Sequence, residues 1–68
     1  MDMGKGIVTT IFRDKGFGFI RQDDGTEIFF HENGVCDPEF KDLKEGYEVE
    51  YIIVEALKGK KAIGVTTV

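Results

Sequence analysis

The run Phe17-Gly18-Phe19-Ile20-Arg21-Gln22-Asp23-Asp24-Gly25-Thr26-Glu27-Ile28-Phe29-Phe30-His31 constrains the fold more than any other part of the chain. It sets an Asp-Gly pair between two short runs of aromatic and β-branched residues, which is a strong short-range signal for a β-hairpin. Strands are therefore expected over residues 17–23 and 26–31. A third precedes them: Gly6-Ile7-Val8-Thr9-Thr10-Ile11-Phe12 is rich in β-branched residues and ends at the charged turn Arg13-Asp14-Lys15-Gly16. Three consecutive antiparallel strands make a meander. Downstream, residues 47–55 read as a long strand, Leu57-Lys58-Gly59-Lys60 as a turn and residues 61–68 as a final strand.

Between the two groups the pattern breaks. Asn33-Gly34, Asp37-Pro38 and Glu45-Gly46 are turn or breaker pairs, so residues 32–46 read as a long irregular connection anchored by Phe40 and Leu43. Five strands without a helix, divided three plus two by a long loop, predict a small all-β antiparallel barrel, an architecture that leaves no unpaired edge. The 68 residues leave room for a single domain spanning 1–68.

So short a chain often relies on disulfides or a metal, but Cys36 and His31 are its only cysteine and histidine. No metal or other cofactor is expected, and Cys36 reads as a small, semi-buried filler. No apolar run approaches the roughly 20 residues that span a bilayer, and the start lacks the apolar run of a signal peptide. A soluble cytoplasmic protein with no membrane partner is the expectation. Catalysis is not expected either. Asp23 and Asp24 are adjacent and point to opposite faces, which suits a turn better than a carboxylate pair. Gly16-Phe17-Gly18 has no helix after it to receive a phosphate, and nothing else suggests a small-molecule substrate.

Alternation sorts the hairpin into two faces. Ile20, Ile28 and Phe30 form an apolar inner set, which sends Phe17, Phe19, Phe29 and His31 to the outer face, bordered by Lys15 and Arg21. Little chain remains to cover that face. Exposed rings on a twisted sheet each stack on a base for roughly 1–3 kcal/mol, while neighbouring cations hold the phosphate backbone. The net charge of −4 opposes such a partner, but its distribution is uneven. Residues 1–21 carry four cations against two acids, residues 51–68 three against one, and residues 22–50 two against ten. If the two ends meet, they offer a modestly basic surface on an acidic molecule.

Lys15-Gly16-Phe17-Gly18-Phe19-Ile20 followed by Ile28-Phe29-Phe30-His31 resembles the paired ribonucleoprotein-type motifs of the cold-shock domain family. The likeness extends through Gly6 and Val8, Asp24-Gly25, Phe40, Leu43, Glu45-Gly46, Val49, Lys58-Gly59, Ala62 and Val65. It implies a five-stranded OB-fold barrel that binds single-stranded RNA or DNA. It also implies base-stacking roles for Phe17, Phe19, Phe29 and His31, a contribution from Phe40, and backbone contacts from Lys15 and Lys58. The chain departs from the family where a surface Trp-Phe pair is usual, having Thr10 and Ile11, and where many members place a Phe after the His, having Glu32. Phe12 is the residue able to replace some of the missing surface, with packing on the barrel rim as its alternative role.

Two functions follow. One is low-specificity binding of single strands by stacking, as an RNA chaperone does. The other is a protein-interaction module of the same fold, its nucleic-acid affinity weakened by Thr10 and Glu32. A monomer is the expected state, with a homodimer as the alternative.

Overall fold

The computed structural model describes residues 2–68, whose strands are β1 (Asp2–Phe12), β2 (Phe17–Gln22), β3 (Glu27–His31), β4 (Val35–Asp37), β5 (Glu48–Ala56) and β6 (Gly59–Thr67). The meander is present: β1 pairs antiparallel with β2, and β2 with β3. The Asp-Gly turn forms where expected. Asp24 Oδ1 accepts hydrogen bonds from the Thr26 N–H at 3.0 Å and from its hydroxyl at 2.7 Å. These bonds, the hydroxyl's foremost, hold the Asp24 carboxyl below the usual carboxylate range.

β1 is long enough to serve two neighbours. Its first half pairs with β5 (Asp2 opposite Ile53 to Ile7 opposite Glu48), its second with β2. β5 turns back antiparallel into β6 through Leu57 and Lys58. A short parallel pair, Phe29 and Phe30 of β3 beside Lys61 and Ala62 of β6, then closes the ring β1-β2-β3-β6-β5. This is the expected five-stranded barrel.

The connection after β3 is more ordered than its breaker pairs suggest. It contains two single 3-10 turns, Glu32–Gly34 and Phe40–Asp42, and the three-residue β4 lies parallel to β6 (Val35 opposite Val65). β6 extends past its short pairing with β3, and backbone groups on that stretch need partners, which β4 supplies. Val35 packs against the core while Cys36 turns out to solvent, so Cys36 is exposed rather than a semi-buried filler.

Every barrel strand feeds one core: Val8 from β1, Ile20 from β2, Ile28 and Phe30 from β3, Val49 and Tyr51 from β5, Ala62 and Val65 from β6. Leu43, from the connection, closes it. Tyr51 is the largest fully buried side chain, and its hydroxyl lies 3.0 Å from Gln22 Oε1 and 3.2 Å from the Lys5 carbonyl. Burial pushes its phenol pKa up, and the Asp23 and Asp24 carboxylates add to the shift.

Within the five barrel strands, simple alternation fails at two irregularities. In the β1–β2 pair, Val8 lies opposite Ile20 and Thr10 opposite Phe19, leaving Thr9 as an extra residue. In β6 the register with β5 shifts between Glu50–Thr66 and Ile52–Ile63, which lets Ala62 and Val65, three apart, both face inward.

Candidate nucleic-acid interface

The bulge at Thr9 decides what the end of β1 presents. An unbroken strand with Val8 inside would send Ile11 outward and Phe12 inward. The extra residue reverses this: Ile11 packs against the core, and Phe12 joins the outer face opposite Phe17. Thr9 is held there by its hydroxyl, which lies 3.3 Å from the Phe19 carbonyl and 3.2 Å from Glu27 Oε2. The departure at Ile11 therefore removes nothing from the outer face, whereas Thr10, opposite Phe19, does lie on it.

Four rings form a continuous group across three strands. Phe17 is the hub, with ring centroids 4.9 Å from Phe12, 5.5 Å from Phe29 and 6.1 Å from Phe19. The Phe12 and Phe29 rings are tilted from Phe17 by 37° and 33°, while Phe19 meets it edge-on at 89°. All four rings keep part of their surface open among the described residues: Phe12 is 38% exposed and the other three are half-buried. His31 continues the row, directly opposite Phe17. Its Nδ1 accepts the Asn33 N–H at 3.2 Å, which fixes the ring and leaves Nε2 to carry the proton.

Gly18 makes the platform buildable. It faces inward beneath the rings, where a Cβ would stand 2.4 Å from the Thr10 carbonyl oxygen and 2.7 Å from the Phe30 ring. Phe40 lies apart from the platform. Its ring meets Phe30 at 6.3 Å and has the Arg13 guanidinium 5.9 Å above its centroid. That guanidinium also donates to the carbonyls of Phe40 (2.9 Å), Lys41 (3.2 Å) and Leu43, tying the β1–β2 turn to the connection. Arg13 is thus committed to structure and does not border the rings.

The cations group as the charge distribution suggested, though by different residues at some positions. Lys5 is paired with Glu50 at 3.8 Å on another side of the barrel. Lys15 is exposed in the turn entering β2. Lys58, Lys60 and Lys61 line a groove of about 730 Å³ with Phe29, Ala56 and Leu57. Among the described residues none of these four lysines has a carboxylate within ion-pairing distance. Arg21 lies opposite Glu27 and Lys60 opposite Glu55, neither pair within ion-pairing distance. Lys61 was not singled out from the sequence, yet the β3–β6 pairing sets it beside Phe29, closer to the platform than the turn residue Lys58. The inward-facing Ala62 next to it carried the signal.

The chain's relatives agree with this geometry. The family model described as "'Cold-shock' DNA-binding domain" matches residues 4–68. The Cold shock-like protein CspLB of Listeria monocytogenes is 41% identical over 64 residues, covering 94% of this chain and 97% of the relative. The Cold shock-like protein CspC of Bacillus cereus is 38% identical over 61 residues, covering 90% and 94%. Among solved structures, drosophila Unr CSD456 superimposes with a TM-score of 0.80 at 24% identity, covering 98% of this chain and 27% of that one, which is a likeness of fold.

Proposed function

The chain belongs to the cold-shock domain family, whose members bind nucleic acid and are not enzymes, and from that premise we propose that it binds single-stranded RNA or DNA by base stacking. The stacking surface is Phe12, Phe17, Phe19, Phe29 and His31, with Lys15, Lys58 and Lys61 holding the phosphate backbone; Phe40, which lies apart from these rings, would serve only as a separate contact on the connection. The observation that carries this reading is the partly open group of four rings centred on Phe17. A ring reads any base through its π-face, so binding is tolerant of sequence, as suits a protein that keeps RNA strands open.

The family's usual aromatic at Thr10 is absent, and Phe12 supplies a ring two residues later on the same face. The net charge of −4 does not by itself exclude this role, because Lys15, Lys58 and Lys61 border the rings without a carboxylate partner. The test is an anisotropy titration of labelled single strands at several salt concentrations, comparing the protein with a Phe17→Ala/Phe29→Ala variant shown to be folded by circular dichroism. Binding that weakens as salt rises, and falls at least tenfold in the variant, is expected from two lost stacks at roughly 1–3 kcal/mol each. No binding by the folded protein at low salt would refute this reading and leave the protein-interaction module.

A further inference from the structure

The β5–β6 hairpin closes through a two-residue tip, Leu57 and Lys58, with Ala56 paired to Gly59 at its base. Hairpin tips ordinarily carry Gly, Asn or Asp, whose backbones suit the turn and whose side chains suit water. Leu57 does neither. It is fully exposed, so the fold gains no packing from it. A lone exposed leucine needs no explanation; this one is distinguished by what surrounds it.

Leu57 lines the same groove as Phe29 and Ala56, and Lys58, Lys60 and Lys61 supply the rest of the lining. The volume, about 730 Å³, falls within the range of roughly 300–1,000 Å³ that holds small organic ligands. Phe29 belongs both to this groove and to the four-ring group, its centroid 5.5 Å from Phe17 and 6.0 Å from Phe19. The groove therefore adjoins the platform, and the β3–β6 pairing that closes the barrel joins the two by setting Phe29 beside Lys61. Its three lysines have no ion-pair partner among the described residues; Glu55, opposite Lys60, is beyond ion-pairing distance. Lysine stems add to the apolar lining while their ammonium groups stay in water. Such a lining suits a ligand that is flat and apolar in one part and anionic in another. A nucleotide is such a unit, and a strand stacked on Phe29 already has a neighbouring nucleotide to place.

We propose that this groove is a nucleotide subsite which continues the ring platform: one further base of the same strand packs on Leu57, and its phosphate is held among Lys58, Lys60 and Lys61. This rests on the stacking role proposed above. It gives Leu57 and Lys60 a part in binding that neither the rings nor the fold assigns them.

The experiment titrates a dT tetramer and a dT octamer against the whole chain, with leucine methyl groups isotopically labelled for NMR and affinities measured by anisotropy. The chain has two leucines, so the buried Leu43 serves as internal control. The tetramer occupies the rings alone, whereas the octamer also enters the groove and shifts the Leu57 methyl signals. Leu43 stays in place with both. Leu57→Ser weakens octamer binding about three- to tenfold, the value of half-burying one leucine, and tetramer binding by less than about twofold. Leu57→Met, which keeps the apolar contact, retains octamer affinity. Lys60→Gln reduces the slope of octamer affinity against salt by about 0.7 and leaves the tetramer slope unchanged. Leu57 and Lys60 are both exposed, so these variants are expected to fold, and circular dichroism checks this. An octamer that leaves the Leu57 signals unmoved, or binds Leu57→Ser as tightly as the wild type, overturns the subsite while leaving stacking on the rings intact. Equal weakening of both strands overturns it too, because the groove then does not lie beyond the rings. An octamer slope unchanged in Lys60→Gln overturns the phosphate contact. Failure of both strands to bind the wild type overturns the stacking reading itself.

Discussion

Truncating Ile11 and truncating Phe12 should have opposite consequences, although the two residues are adjacent and both large and apolar. Phe12→Ala removes a ring 4.9 Å from Phe17 that is 38% exposed. In the folded protein it contributes chiefly an aromatic pair, so its loss lowers stability by about 1 kcal/mol. Its larger effect is on ligand. Losing one stacking surface weakens binding by roughly 1–3 kcal/mol, about 5- to 150-fold in Kd. Ile11→Ala instead removes a side chain packed against the core and absent from the platform. A fully buried Ile→Ala change costs roughly 2–5 kcal/mol, and the partial burial of Ile11 places it near the lower end, about 2 kcal/mol.

At roughly 4–8 °C per kcal/mol for a domain of this size, Tm for Ile11→Ala falls by about 8–16 °C. Binding by the molecules that remain folded changes by less than about twofold, within the ordinary scatter of a substitution that touches no ligand. The assays are thermal denaturation followed by circular dichroism and anisotropy titration of one labelled single strand, both well below the lowered Tm. The bulge at Thr9 is the sole reason for this assignment, so the experiment tests it directly. If Ile11→Ala weakened binding and Phe12→Ala mainly lowered Tm, the bulge would be absent and the strand end would face the other way.

Three further outcomes follow from single contacts. Tyr51→Phe should lose about 1 kcal/mol in urea denaturation at neutral pH, because the hydroxyl's hydrogen bonds to Gln22 and Lys5 disappear. The phenol's pKa is raised above 10.0 in the fold, so its contribution is full below pH 10 and declines as pH climbs toward the folded value. Wild-type stability should therefore drop more steeply than that of Tyr51→Phe in a urea series extended to pH 11. Arg13→Gln should reduce stability by about 1–2 kcal/mol through the lost bonds to the connection, while leaving the slope of binding affinity against salt unchanged. Lys61→Gln should do the reverse, altering stability by less than about 0.5 kcal/mol and reducing that salt slope by about 0.7.

β2 and β3 were legible because local signals agreed: the Asp-Gly turn, the alternation and the β-branched content all placed Ile20, Ile28 and Phe30 inside and Phe17, Phe19 and Phe29 outside. The end of β1 was not, because Thr9 and Thr10 suit either face and nothing local to them announces an extra residue. The bulge arises from the meeting of β1 with β2, where Thr9 finds the Phe19 carbonyl and Glu27, and its consequence falls on residues downstream. The residues between Ala62 and Val65 were equally silent about the shift that turns Val65 inward. β4 escaped detection since three residues between breaker pairs form a strand only where a neighbouring edge has backbone groups to pair.

The same argument limits what charge counting reveals. Arg13 and Lys15 sit two residues apart in one turn and enter any composition as equals. Yet Arg13 turns back to bind carbonyls of the connection, where its planar fork can serve several acceptors at once, and Lys15 stays in solvent at the entry to β2. Lys5 is likewise drawn to Glu50, while Lys61 is brought beside Phe29 by a pairing between residues 32 apart along the chain. Whether a cation serves the fold or faces a ligand is settled by which strands meet, so the usable charge of this acidic chain depends on barrel closure and not on its net value of −4.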